Sequence, residues 1–243
     1  MNSSERTLRM VDATNQLTID LYHGTSTLFL DSILKNGLGG INPVTDWKLL
    51  ELSKEVYTLS EQHLRETHLF QLSAPSFQQM IKQSNGGSFN FQHGDTYVSP
   101  AKQTAARYAI SKRYGSELLT YTIDFLKELL ALNIQYVKTT LYRKNLKVFG
   151  LIESNPSPLL IQVKGVNISS LLDEHGANPR KNLEEIDEWL DISSDMLGLQ
   201  QTNFRLAAPV GAEKLKLFLI NVQNWNPLSP KYNLYEIKAE AIN

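Results

Sequence analysis

The chemically capable side chains of this 243-residue chain are its histidines, tyrosines, hydroxyls and carboxylates, since it contains no cysteine. That absence excludes disulfides, thiolate metal sites and cysteine nucleophiles together. The densest cluster is Leu21-Tyr22-His23-Gly24-Thr25-Ser26. A histidine at a strand end can hydrogen-bond a ribose hydroxyl, Gly24 lets a ligand approach the backbone, and Thr25 and Ser26 supply hydroxyls ahead of a helix start. The segment suits a nucleotide; a satisfied structural turn is the competing reading. A second cluster follows at Asp95-Thr96-Tyr97-Val98-Ser99-Pro100, leading into a helical pattern that carries Tyr108. His63 and His68, five apart, lack the i,i+4 spacing of a helical metal pair and have no ligand companions, so no metal is expected. From Leu129 to Ile152 there is no acidic residue, and Lys138, Arg143, Lys144 and Lys147 interleave with Tyr136, Tyr142 and Phe149. That stretch reads as a basic-aromatic track for single-stranded nucleic acid or as a solvated loop and strand edge.

The elements that must position these groups follow from periodicity. Leu17, Ile19 and Leu21 alternate with polar residues as a half-buried strand does, and the chain then enters the His23-Gly24 turn. Leu30, Ile33 and Leu34 share a helical face, with Thr25, Ser26 or Thr27 as N-cap and Asn36-Gly37 as the stop. Residues 43 to 91 predict one or two amphipathic helices and a loop at Ser84 to Ser88. A short strand at 94–100 ends at Pro100, and Ala101 to Tyr114 predicts a helix with Ala105, Tyr108, Ala109 and Lys112 on one face. Glu117 to Leu132 is a helix, or a strand over 118–123 followed by a shorter helix. Leu159 to Val163 is the cleanest buried strand, and further strands are expected at 202–207, 214–222 and 234–239. Asp173 to Asp195 holds eight acidic and two basic side chains, read as an exposed linker or helix face, or as a surface for a basic partner such as an inhibitor protein.

The near-balance of 24 Lys and Arg against 25 Asp and Glu excludes a generic basic nucleic-acid binder. With 42% hydrophobic residues the chain can bury a real core, and we read it as one α+β domain with a helical insertion at about 43–92. No apolar run approaches the roughly 18 residues of a membrane span, and Met1-Asn2-Ser3-Ser4-Glu5-Arg6 leads into no apolar leader. The expectation is a protein without a membrane partner, cytoplasmic or delivered into a target cell without a Sec signal.

Taken together, His23-Gly24-Thr25, then Ile33-Leu34-Lys35-Asn36-Gly37-Leu38, then Thr96-Tyr97-Val98-Ser99 before an Ala-x-x-Tyr-Ala helix resemble the ADP-ribosyltransferase fold of the diphtheria-toxin/PARP branch. The resemblance touches residues near 17–40, 94–114, 157–174 and 200–220. It implies two small antiparallel sheets forming an NAD cleft, with helices around them. It also implies that His23 contacts the adenosine ribose of NAD⁺, that Tyr97 stacks under the nicotinamide with Tyr108 opposite, and that Gly24 gives backbone contacts to the carboxamide. Tyr22, Thr25 and Ser99 complete the implied cofactor-binding set. Two rings around a desolvated pyridinium gain cation–π energy of about 1–2 kcal/mol.

The family's third residue, often a glutamate on a late strand before a Pro-Val turn, falls here on Asn203, ahead of Pro209-Val210; Gln201 is the nearest alternative on the same face. Neither is a carboxylate, and an amide supplies only the hydrogen-bonding part of that role. Glu213 reads as a turn glutamate, and Glu153 and Glu236 are the other carboxylates on strand-like segments. The resemblance implies a mono-ADP-ribosyltransferase, a toxin or effector, acting on a protein first and a nucleic acid second. A catalytically silent NAD- or ADP-ribose-binding module and an RNA 2′-phosphotransferase-like enzyme are the alternatives.

Overall fold

A computed structural model describes residues 8–86, 89–189, 202–226 and 229–237. The chain divides into two compact units: Met1–Gly40 with Thr96–Ser111 and Ser157–Asn243, and Ile41–Asp95 with Lys112–Pro156. The second unit is built from two separate pieces of sequence, 41–95 and 112–156. Among the described residues no helix is long and apolar enough to cross a membrane.

The first unit is α+β. Strands β1 (Leu21–Ser26), β5 (Pro158–Val163), β8 (Leu215–Asn224) and β9 (Lys231–Ile237) form a four-stranded antiparallel sheet in that order. Strands β4 (Tyr97–Val98), β7 (Phe204–Leu206) and β6 (Leu171–Asp173) form a three-stranded antiparallel sheet. One core joins them: Leu21, Leu159, Ile161 and Val163 of the larger sheet pack with Val98, Leu171, Phe204 and Leu206 of the smaller. The larger sheet's other face carries Leu160 and Ile220 against Ala105, Ala106 and Ala109 of helix α5 (Lys102–Ser111). The small alanine side chains let α5 approach closely, as the predicted Ala-rich face requires.

Two expectations change here. His23-Gly24-Thr25 lies inside β1 and is no turn, and upstream Leu17 makes only an isolated bridge to Val11 while Ile19 lies in no strand. The acidic stretch contains helix α9 (Arg180–Trp189), in which Leu183 and Ile186 are buried. It also buries Asp187, whose carboxylate accepts the Arg9 main-chain N–H at 2.9 Å and Arg9 Nε at 3.4 Å. Over 180–189 the helical alternative holds, as an anchored amphipathic helix with Glu185 and Glu188 on its exposed side; Asp191 and Asp195 lie outside the described residues. Helix α1 (Leu30–Asn36) stops at Gly37, where φ is +80° and the N–H returns to Ile33 O, as the Asn36-Gly37 signal predicts.

The second unit is helical, built on α3 (Leu49–His63), α4 (His68–Ile81) and α6 (Glu117–Ala131), with α2 (Pro43–Asp46) preceding them. The 117–132 segment takes its helical alternative: Ser116 accepts the Leu119 N–H as N-cap, and Thr122, β-branched but buried, returns its hydroxyl to Leu118 O at 2.7 Å. Phe77 stacks on Phe125 at 5.2 Å between centroids, with Tyr57 against its edge. Strands β2 (Asn85–Gly86) and β3 (Phe89–Asn90) form a short antiparallel pair. Residues 129–152 hold no strand edge; α7 (Tyr142–Lys144) and α8 (Leu146–Gly150) are short helices that bury Val148 and Phe149. Part of their charge is engaged, Lys147 over the Trp47 ring at 4.5 Å and Lys144 3.7 Å from Glu55.

Candidate functional site

The two sheets of the first unit meet where β1 passes β4. Tyr22 donates its N–H to Ser99 O at 2.7 Å, and Ser99 returns its own to Tyr22 O at 2.8 Å. That pair is the one bridge recorded between the strands among the described residues. Two residues before Ser99, the carbonyl of Tyr97 is taken by a side chain, His23 Nδ1, at 2.7 Å. A carbonyl can only accept, so the imidazole carries its hydrogen on Nδ1 and Nε2 is left with a lone pair. Burial holds the His23 pKa below the ordinary histidine value, opposed by the Tyr97 bond, so the ring is neutral at pH 7. Although densely surrounded, His23 keeps part of its surface accessible.

Backbone alternation then decides where Gly24 points. Tyr22 spends its main-chain groups on Ser99, so in the unbroken β1–β5 register Tyr22 and Gly24 direct N–H and C=O away from β5, while His23 and Thr25 direct theirs toward it. No main-chain hydrogen bond recorded among the described residues takes the Gly24 groups on that side. The glycine itself is demanded by helix packing: a Cβ there would stand 1.9 Å from Ala105 O and 2.9 Å from Ala109 N of α5. Tyr108 lies on α5 between those two contact points.

The other implied cofactor residues fall differently. Thr25 is 3% exposed and belongs to the core. Ser99 is also buried; its hydroxyl donates to Thr202 O at 3.1 Å and accepts the Ala101 N–H at 3.2 Å, tying β4 to the approach of β7 and the start of α5. The Tyr22 ring packs on the α5-facing core, and burial, with the Asp20 charge second, raises its phenol pKa. Tyr97 alternates with the buried Val98 on β4, opposite Arg205 of β7, so both side chains leave the shared core.

Asn203 immediately precedes β7 and is partly exposed; Gln201 lies outside the described residues. The structure adds a residue that sequence reasoning missed. Glu174 follows β6, one position past the Asp173–Phe204 pair, on the side where Asn203 precedes β7. The registers set this placement: Asp173 and Val98 both pair with Phe204, and one step along them stand Glu174, Asn203 and Ser99. Burial raises the Glu174 pKa above the usual carboxylate range, with the Asp173 charge adding to it and His175 and Asn203 opposing. The one sequence signal for Glu174 is the antiparallel pairing of β6 with β7, a contact that no local pattern encodes. Of the other carboxylates, Glu213 is exposed, Glu236 is exposed on β9 3.9 Å from Lys216, and Glu153 lies in a turn of the second unit.

No family model matches the chain, and neither a search of curated proteins nor one of solved structures finds a similar one.

Proposed function

We propose that the first unit binds NAD⁺ and transfers its ADP-ribose to a macromolecular nucleophile, a protein side chain before a nucleic acid. The observation that carries this reading is the His23–Tyr97 bond. It fixes a neutral imidazole whose Nε2 can accept from a ribose hydroxyl. Beside it, no main-chain hydrogen bond among the described residues takes the Gly24 N–H and C=O that face away from β5. A primary carboxamide presents the complementary pair.

In the reaction the bond from the ribose C1′ to the nicotinamide nitrogen breaks. Its electron pair stays on nicotinamide, which becomes neutral, and the ribose becomes oxocarbenium-like. A lone pair of the acceptor then forms the new bond at C1′, and its proton passes to solvent. Such a loose path needs a fixed, water-excluded pose more than a strong base. His23 and Gly24 would hold the two ends of the ligand, and Tyr97 with Tyr108 would face the pyridinium. The toxin or effector role rests on analogy with the family that the motifs resemble.

A second reading, a silent NAD- or ADP-ribose-binding module, is favoured by the amide at Asn203. Calorimetric titration with NAD⁺ and an assay for nicotinamide release separate the two. Saturable binding with release supports the transferase, binding without release the module, and no binding overturns both.

A further inference from the structure

We propose that the second unit carries a binding surface for single-stranded nucleic acid, centred on Tyr142 and formed by the acid-free stretch 129–152. The inference does not rest on the NAD⁺ reading, which concerns the first unit. Among the described residues seven large hydrophobic side chains are left exposed, and four of them, Leu132, Tyr136, Tyr142 and Leu146, fall in this stretch. The stretch satisfies its own core on another side, where Val137, Leu141, Val148 and Phe149 are buried. Its middle is a π-helical turn, Val137–Leu141, an irregularity frequent at functional sites.

The charges beside these rings are mostly unanswered. Among the described residues Lys144 alone of the four cations faces a carboxylate, Glu55 Oε1 at 3.7 Å. Lys138 donates to the neutral Asn133 amide, and Lys147 stands 4.5 Å over the Trp47 ring. No hydrogen bond or ion pair among the described residues engages Arg143. The rings, 42% exposed at Tyr136 and 48% at Tyr142, are held in place. Tyr136 donates its hydroxyl to Glu55 Oε2 at 2.9 Å, and Tyr142 meets Phe149 edge to face at 5.4 Å. The second contact also brings α8, with Lys147, against α7, with Arg143. A ring fixed beforehand loses little freedom when a base stacks on it.

A partner that fits must offer flat faces and spaced negative charge together. A single strand does, since any base can stack on a tyrosine while Lys and Arg follow the phosphates. In a duplex the base faces are already covered by one another. A lipid surface asks for an outward apolar stripe, and here the stripe of Val137, Leu141 and Val148 is the buried one.

The test is fluorescence anisotropy of the full chain with labelled oligo-dT and oligo-U, without NAD⁺, at about 50 to 200 mM salt. The proteins are the unaltered chain, Y142A, K138Q/R143Q and, as a control on α9, K181Q, with melting temperatures to confirm folding. Duplex DNA and phosphatidylserine vesicles are the competing probes. We expect saturable single-strand binding, weaker duplex binding, and a loss of about 5–100-fold in Y142A, the size of one base–tyrosine stack. In K138Q/R143Q the slope of log affinity against log salt should become shallower by about 0.7 for each phosphate contact removed. K181Q should match the unaltered chain. No single-strand binding, duplex bound as tightly, or vesicles bound in place of the oligonucleotides overturns the proposal. Binding undiminished in both Y142A and K138Q/R143Q, or weakened equally by K181Q, overturns it as well.

Discussion

His23 Nδ1 lies 2.7 Å from the main-chain oxygen of Tyr97, so a side chain of one sheet completes the backbone of a strand in the other. One bond thus sets the imidazole tautomer and marks the point where β1 and β4 part.

Substitutions that keep or lose that bond should separate structure from binding. His23→Asn retains an N–H close to the place of Nδ1–H but loses Nε2, so it should fold with nearly unchanged stability and lose NAD⁺ affinity. His23→Ala should in addition lose about 1–3 kcal/mol of stability, the cost of stranding a buried acceptor. Urea unfolding and calorimetric titration of both variants check this.

Stability should fall on acidification. A histidine held neutral by burial binds fewer protons folded than unfolded, so its contribution is complete above the ordinary value of about 6.5 and is lost as pH falls through it toward the folded value. His93 in the second unit is depressed by burial as well and acts in the same direction. Melting temperatures between pH 7.5 and 5.5 should decline, and less steeply in His23→Asn than in the unaltered protein.

Gly24→Ala should be severe. The new methyl would overlap Ala105 O, a backbone atom that cannot swing aside, and α5 would have to lift off the sheet. Gly150→Ala is the control: nothing lies within 4 Å of the added Cβ at the end of α8, so the change should be neutral or stabilising by about 0.5–1 kcal/mol. Soluble yield and thermal melts distinguish them.

Asp187→Ala should destabilise the first unit by about 1–3 kcal/mol, because Arg9 loses the carboxylate whose two oxygens take its main-chain N–H and face its Nε. Glu185→Ala, on the exposed side of α9, should be within about 0.5 kcal/mol of the unaltered protein. The pair of urea titrations tests whether the acidic stretch is an anchored helix.

These cases also show which parts of the fold could be read from sequence. The β5 run and the Gly37 stop are local patterns that formed where period and punctuation put them, and α5 formed with its Ala105 and Ala109 face but ends at Ser111, short of Lys112 and the expected Tyr114-Gly115 stop. His23-Gly24-Thr25 misled because a glycine beside a hydroxyl pair is the local signature of a turn, whereas Gly24 answers a tertiary demand, the approach of α5. Asp187 looked like one more solvated acid because its partner, Arg9, stands 178 positions away. Glu174 escaped for the same reason: its place beside Asn203 is a property of strand register, and neither residue's neighbours announce it.

The central claim is tested most directly by incubating the purified protein with NAD⁺ labelled in its ADP-ribose part and separate pools of cell protein, RNA and DNA. The account predicts label in the protein pool, released nicotinamide in equal amount, and loss of both in folded His23→Ala and Tyr97→Ala variants. No label in any pool and no nicotinamide release, or label that persists undiminished in both variants, would contradict it.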